Sequence, residues 1–218
     1  MKISCVIPAY NEANNIQLVI TKVKSLVDEL IVIDDCSNDN TFELAKSLGV
    51  IVLHHIINRG QGAALQTGDD YALAHGADII VHFDADNQFE AAEIKDILRP
   101  ILENKADAVF GSRFLGSANF PVTKKYLIMP LARLINRGFG IKLSDPQSGF
   151  RAFNRQTALG LTIDNRGMAH CSEILYKINK SGARIIEVPI HVTYHEFGQK
   201  LSGGFRIIKD LIINNFLK

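Results

Sequence analysis

Residues 81–88 read Val81-His82-Phe83-Asp84-Ala85-Asp86-Asn87-Gln88, and the reading of the whole chain turns on them. Residues 79–83 form a short, mostly apolar run of the kind that makes a buried strand. The run stops at two acids spaced i, i+2, where an open α/β sheet presents its functional groups. In an extended segment residues two apart point to the same side, so Asp84 and Asp86 are expected to converge on one cation. Hard oxygen ligands suit Mg²⁺ or Mn²⁺, and Mg²⁺ takes one or two carboxylates together with phosphate oxygens. The plainer reading of Asp-x-Asp is a polar loop after a strand.

The chain has 218 residues and 47% hydrophobic content, enough to bury one good core. A net charge of +1 gives no reason to expect nucleic acid as a partner. Cys5, Cys36 and Cys171 are odd in number and scattered, which argues for a reducing compartment and against structural zinc or a disulfide framework. No apolar run approaches the roughly 18 residues needed to span a bilayer. Met1-Lys2 leads straight into a strand, so no signal peptide is predicted and a soluble cytoplasmic domain is expected.

Strand and helix alternate through the first half. Residues 3–7 predict a strand closed by Pro8, and Ile16, Val19, Ile20, Val23 and Val27 make a helical stripe after the capping side chains of residues 11–15. Residues 30–33 predict a second strand ending in Asp34 and Asp35. A turn follows, with Asp39 placed to cap a helix running towards Leu48, and residues 50–53 predict a third strand. A helix after Gly62 and the strand at 79–83 complete a pattern that predicts a mainly parallel sheet covered on both faces. Three strands should end in polar loops at one edge, the place where such sheets bind nucleotides. The second half predicts a helix at 93–103, strands at 108–110, 150–153 and 185–190, and helices at 126–137, 171–180 and 205–216. One domain is expected over 1–218, with a nucleotide-binding half of about 1–112 and an acceptor-side half of about 113–218.

Gly60-Gln61-Gly62-Ala63-Ala64-Leu65 follows a strand and opens a helix, which invites a dinucleotide-binding reading. Its sixth position is Leu65, where close helix–strand packing asks for Gly or Ala, and it follows the third strand rather than the first. A phosphate- or base-edge loop suits it better; a plain helix N-terminus is the alternative.

Taken in order, Pro8-Ala9-Tyr10-Asn11-Glu12, Asp34-Asp35-Cys36-Ser37-Asn38-Asp39-Asn40-Thr41, Asn58-Arg59-Gly60-Gln61-Gly62-Ala63-Ala64 and Asp84-Ala85-Asp86-Asn87-Gln88 resemble successive motifs of family-2 glycosyltransferases. Gly111-Ser112-Arg113-Phe114, Ser148-Gly149-Phe150-Arg151 and Glu187-Val188-Pro189-Ile190 narrow the resemblance to the dolichol-phosphate mannosyltransferase and polyprenyl-phosphate glycosyltransferase branch. It covers residue 8 to about residue 210.

The resemblance implies a GT-A fold and transfer, with inversion, of a hexose from a nucleotide sugar of the GDP-mannose or UDP-glucose type to a polyprenyl or dolichyl phosphate. It implies that Pro8, Tyr10, Glu12, Asp34, Asp35, Asp84, Ala85 and Asp86 bind the donor. Asp84, Asp86 and Gln88 would hold Mg²⁺ or Mn²⁺, and Asp86, Arg113, Asp145 and Arg151 make up the expected catalytic set. Arg113 and Arg151 follow small-residue turns, where a planar fork can clamp phosphate oxygens, and Ser148 and Arg206 complete the expected acceptor-phosphate set.

Asp145 offers two roles. Relatives with a sugar-hydroxyl acceptor use an Asp near this position as general base, because a hydroxyl is a poor nucleophile until deprotonated. A polyprenyl phosphate is already anionic, and the Gln-x-x-Arg-Trp segment of hydroxyl-acceptor polymerases has no counterpart in a chain with no Trp. Asp145 is therefore expected to orient its neighbours, with base duty in a saccharide-acceptor enzyme as the alternative. The histidines show no ligand spacing and read as core or surface residues. Residues 126–137 and 205–216 are apolar with basic flanks: they either lie at a lipid interface or pack on the sheet. The expectations are peripheral contact at the inner membrane face, or a membrane partner subunit; a non-catalytic nucleotide-sugar or lipid-phosphate binding module is the rival from another class.

Overall fold

A computed structural model describes residues 1–116, 143–167 and 169–193. Among the described residues seven strands form one sheet in the order β3-β2-β1-β4-β6-β5-β7. These are β1 (Ile3–Ala9), β2 (Glu29–Asp34), β3 (Ile51–His54), β4 (Ile79–His82), β5 (Ala108–Ser112), β6 (Arg151–Asn154) and β7 (Ile185–Pro189). The helices are α1 (Ile16–Val23), α2 (Thr41–Ser47), α3 (Gln61–Ala74), α4 (Ile94–Leu102), α5 (Arg155–Leu159) and α6 (His170–Lys180). The expected parallel sheet is present across β3, β2, β1 and β4, and β7 runs parallel to β5. β6 differs: it lies antiparallel between β4 and β5. The short α5 is an element the sequence reading leaves out.

The alternation of side chains along each strand separates two cores. Cys5, Ile7, Val32 and Val81 face α1 and α4 through Ile16, Ile20, Ile94 and Ile97. Val6, Ile31, Ile33, Ile80, Phe110 and Phe153 face α3 and α6 through Ala64, Leu65, Ile174 and Ile178. Burial on both faces is why these strands read as near-continuous apolar runs. Each fully buried Ile or Leu contributes roughly 1.5–3 kcal/mol. The largest fully buried side chain, however, is Arg151.

Pro8 sits inside the central strand at no cost to the ladder. Val6 O accepts from Phe83 N and Ala9 O accepts from Asp35 N, so Pro8 faces the β4 side. Pairing with β4 ends at Val6 and His82, so no hydrogen bond is lost where Pro8 lacks an N–H. From here the chain splays open at the C-terminal edge of the sheet.

Arg206, Lys124, Lys125, Pro121, Gly203, Gly204, His195 and the expected helices at 126–137 and 205–216 lie outside the described residues. Among the described residues no helix is long and apolar enough to cross a membrane.

Candidate active site

The loops after β1, β2 and β4 meet at one edge, and the first two brace each other. Ser37 Oγ accepts from Asn11 N at 2.9 Å, and Asn11 Oδ1 accepts from Asn38 N at 2.8 Å. Thr41 Oγ1 accepts from Glu12 N at 2.8 Å, and Asp39 Oδ2 from Ala13 N at 3.1 Å. Asp39 Oδ1 also accepts from Thr41 N at 3.0 Å, a turn bond just ahead of α2, whereas the expected cap position falls to Asn40, which makes no side-chain cap bond. Each of the three loops holds one non-glycine residue in the left-handed region: Asn11 at φ 57°, Cys36 at φ 63° and Asn87 at φ 57°. Asparagine tolerates this conformation; cysteine does so at a cost, and such strain concentrates at functional sites. Tyr10 is exposed at the rim.

The two acids at the end of β2 are buried and engaged. Asp34 Oδ2 pairs with His54 Nδ1 at 2.7 Å, while its Oδ1 is buried with no partner among the described residues. Asp35 Oδ1 pairs with His55 Nδ1 at 2.7 Å and accepts from Arg59 N at 2.8 Å, and its Oδ2 accepts from Gly60 N at 2.7 Å. Asp35 thus fixes the start of α3. Gly60 is at φ 89°, and a Cβ there would stand 2.3 Å from Arg166 O. Arg166 O also accepts from Gly62 N at 3.2 Å, so the helix start packs on the chain before α6.

Asp84 and Asp86 do come together, but by a different route from the one expected. β4 ends at His82, and residues 85–87 form a turn with Asn87 left-handed, so the pair is not in extended backbone. Burial raises the Asp86 pKa, and the charges of Asp84 and Glu12 add to it, bringing it to about 6. Burial likewise raises Asp84 against the pull of Arg151, and raises Glu12 with help from Asp39 and Asp84. Gln61 Nε2 donates to Asp84 Oδ1 at 3.0 Å, and Gln88 N donates to Asp86 Oδ1 at 3.1 Å. A Cβ on Gly149 would stand 2.2 Å from Asp84 Oδ2, so the chain before β6 lies directly on this carboxylate. Ala85 between the acids is buried. Among the described residues no group of three or more His, Cys, Asp or Glu side chains is arranged to hold a metal alone. Carboxylates that raise one another's pKa fit a divalent cation completed by phosphate oxygens, the donor set Mg²⁺ favours.

The arginines approach from the other side. Arg113, after β5, forms a fork with Asp145: Nε to Oδ2 at 2.6 Å and Nη2 to Oδ1 at 2.7 Å, with Arg113 N also donating to Oδ2 at 3.1 Å. Asp145 is buried, and Glu187 of β7 fixes its loop by accepting from Asp145 N and Ser144 N at 2.9 Å. Ser148 is buried with its Oγ unpartnered among the described residues. Arg151 opens β6 and is 0% exposed. Its Nε donates to His82 Nδ1 at 3.1 Å, and His82 Nε2 meets Asp69 Oδ1 of α3 at 2.7 Å. Arg151 Nη1 and Nη2 are buried with no partner among the described residues. Below them, at the start of α6, Cys171 Sγ lies 3.3 Å from His170 Nε2. Burial pushes that thiol up, but the charges of His170 and Arg151 outweigh it and lower it to about 7.

Asp84, Asp86, Glu12, Gly149 and Arg151 are therefore joined into one site by contact or charge, with Arg113 and Asp145 beside it. Sequence reasoning passed over Asp69 and the task of Glu187, read His82 as a core or surface histidine, and gave Gln61 to a phosphate- or base-edge loop without its contact to Asp84. The available signal was polarity out of place: a His at a buried strand position.

The profile of "Glycosyl transferase family 2" matches residues 4–159. The UDP-N-acetylglucosamine–dolichyl-phosphate N-acetylglucosaminyltransferase of Methanococcus voltae is 33% identical over 95% of this chain and 94% of its own length. The undecaprenyl-phosphate mannosyltransferase of Micrococcus luteus is 28% identical over 98% of this chain and 92% of its own. Among solved structures, glucosyl-3-phosphoglycerate synthase of Mycobacterium tuberculosis in complex with Mg²⁺ and uridine diphosphate superposes with a TM-score of 0.75 and 25% identity, covering 97% of this chain and 78% of that one.

Proposed function

This chain belongs to glycosyl transferase family 2, and from that membership we propose an inverting transfer of a hexose from a nucleotide sugar to a polyprenyl or dolichyl phosphate, dependent on a divalent cation. One observation carries the reading: buried groups of opposite sign meet at the sheet edge, with Asp84 in the field of Arg151 and Asp86 beside Asp84. Burial and its acidic neighbours bring the Asp86 pKa up to about 6, while the two Nη groups of Arg151 lie buried with no partner among the described residues. A cation and phosphate oxygens arriving together satisfy both. The relatives named for dolichyl- and undecaprenyl-phosphate acceptors support the choice of acceptor.

In this reading a phosphate oxygen of the lipid attacks the anomeric carbon. The bond from that carbon to the diphosphate oxygen breaks on the opposite face, so one displacement inverts the centre. The nucleophile is already an anion and no proton need be removed. Asp84 and Asp86, with Gln88, would hold Mg²⁺ or Mn²⁺, whose chemistry is Lewis-acid neutralisation of charge on the leaving nucleoside diphosphate. Tyr10, Glu12 and the Asp34–Asp35 corner, with Pro8 and Ala85 beneath, border the donor nucleoside. Arg151, Ser148 and Arg113 supply donors to phosphate oxygens, and Arg206 is assigned with them from the sequence resemblance. The fork to Arg113 supports an orienting role for Asp145 over base duty toward a saccharide acceptor. A lipid acceptor requires peripheral contact with the bilayer surface.

The test is product formation from a panel of radiolabelled GDP- and UDP-sugars with short-chain polyprenyl phosphate and Mg²⁺ or Mn²⁺. A lipid-linked sugar that disappears in Asp86→Ala is expected. Nucleoside diphosphate released only when saccharides are added would replace the lipid acceptor with a hydroxyl. Nucleotide binding without turnover on either acceptor would leave a binding module.

A further inference from the structure

The geometry points to His82 and Asp69 as positioning residues that hold the buried Arg151 so that both of its Nη groups face a phosphate. This inference rests on the anion-binding role given to Arg151 above.

A guanidinium only donates, so His82 Nδ1, 3.1 Å from Arg151 Nε, must be an acceptor and carries no hydrogen. The ring hydrogen is then on Nε2, where it donates to Asp69 Oδ1 at 2.7 Å. The ring of Phe153 meets His82 edge-on, with centroids 5.2 Å apart and planes at 88°, which restricts rotation of the imidazole. All three polar residues are almost wholly enclosed: Asp69 at 3%, His82 at 1% and Arg151 at 0% exposure.

A buried guanidinium needs a counter-charge, and a carboxylate in direct contact is the usual partner. A direct fork occupies Nε and one Nη, as Asp145 does on Arg113. Here a neutral imidazole stands between acid and arginine. It passes on the stabilisation from Asp69 but touches only Nε, and leaves Nη1 and Nη2 unpartnered among the described residues. Asp84, His170 and Cys171 also lie within range of the Arg151 charge. None of them makes a hydrogen bond to it among the described residues. The relay therefore gives a buried cation two donors to place on one ligand.

The two nitrogens of His82 have separable mimics. Asn places its Oδ1 near the position of Nδ1 and keeps the acceptor for Arg151; Gln reaches the position of Nε2 and loses that acceptor. Binding of inorganic pyrophosphate with Mg²⁺ should be measured by calorimetry for the wild type, Arg151→Met, His82→Asn and His82→Gln. The expected order is wild type, then His82→Asn within a few-fold, then His82→Gln weaker by about ten- to a hundredfold, the range for losing a hydrogen bond to a charged group. In steady state the loss should appear in KM for the phosphate substrate more than in kcat. A residue that merely packs the core would show Asn and Gln as equals, and that result overturns the relay. So does ¹⁵N NMR placing the wild-type His82 hydrogen on Nδ1. Absence of Arg151-dependent pyrophosphate binding in the wild type sinks the anion reading of Arg151 itself; normal wild-type binding unchanged in His82→Gln sinks the relay alone.

Discussion

Arg113 meets its acid through two parallel hydrogen bonds, at 2.6 and 2.7 Å, whereas Arg151 reaches Asp69 only through the ring of His82. Arg113 is 19% exposed at its side chain and keeps contact with water; Arg151 has none. The fork fixes a guanidinium firmly but takes up its best-aligned donors. The relay fixes only one edge and leaves the other for a ligand. Position in the fold explains the choice. Arg113 follows β5 in a loop, where Asp145 reaches it from the chain before β6, while Arg151 stands within the sheet opposite His82 of β4, which reaches its Nε.

If the two arginines differ in this way, removing Arg151 should have the largest effect. Arg151→Met is expected to lower kcat/KM by about a thousandfold, the upper end of the range for deleting a preorganised electrostatic donor. Arg151→Lys should not restore it, because one ammonium does not both bind His82 and present two donors. Steady-state assays of lipid-linked product read both. Next comes Gly149→Ala, which drives a Cβ into Asp84 Oδ2 on the Arg151 side of the site. A displaced carboxylate should reduce turnover by about a hundredfold and weaken Mn²⁺ binding measured by calorimetry.

The Arg113 side should be milder. Asp145→Asn keeps one acceptor for the guanidinium and is expected to lower activity by about tenfold, within the range of a weakened charged hydrogen bond. A loss of about 10²–10⁴-fold would show Asp145 to be a general base and reverse the choice of acceptor. The smallest effect concerns stability. Asp86 has its folded pKa raised to about 6 from the model-compound value of 3.8, so its ionisation lowers stability as pH rises through that range. Added Mn²⁺ should offset this, so the rise in Tm on adding Mn²⁺ should grow from about pH 5 to about pH 7. The Arg151 charge draws Asp84 down more than that of Arg113. The onset of Mn²⁺ stabilisation should therefore move to higher pH more in Arg151→Met than in Arg113→Met.

The parallel half of the fold was legible because each of its signals is local. The apolar runs of β1, β2 and β4, the stripe of α1 and the acids at strand ends all lie within windows of ten residues or so. The meeting of Asp84 with Asp86 was also legible, although the turn that achieves it was not, since alternation alone does not show that β4 stops at His82. The direction of β6 was hidden because residues 150–153 read the same in either sense. It is set by the return path of the chain and by pairing with two strands far away in sequence. The burial of Arg151 was hidden for a related reason. An arginine reads as a surface charge until its partners are known, and His82 precedes it by 69 residues. What sequence did offer was one anomaly, the polar His82 inside an apolar run; Asp69 gave little signal, because α3 carries no clear apolar stripe.

The insertion of β6 between β4 and β5 has a consequence for the order in which the protein is made. As the chain leaves the ribosome, β1 to β4 can pair with one another as they appear, but β5 has no strand to join until residues 151–154 emerge. Until then β4 presents an unpaired edge in the middle of what will be the finished sheet, a surface open to mispairing with other chains. Residues 151–154 close the β4 edge and bring Arg151 into the site in one step, while β5 keeps an open edge until β7 joins it. Two-piece versions of this protein should accordingly be cut on either side of β4, β6 and β5 together, never between them.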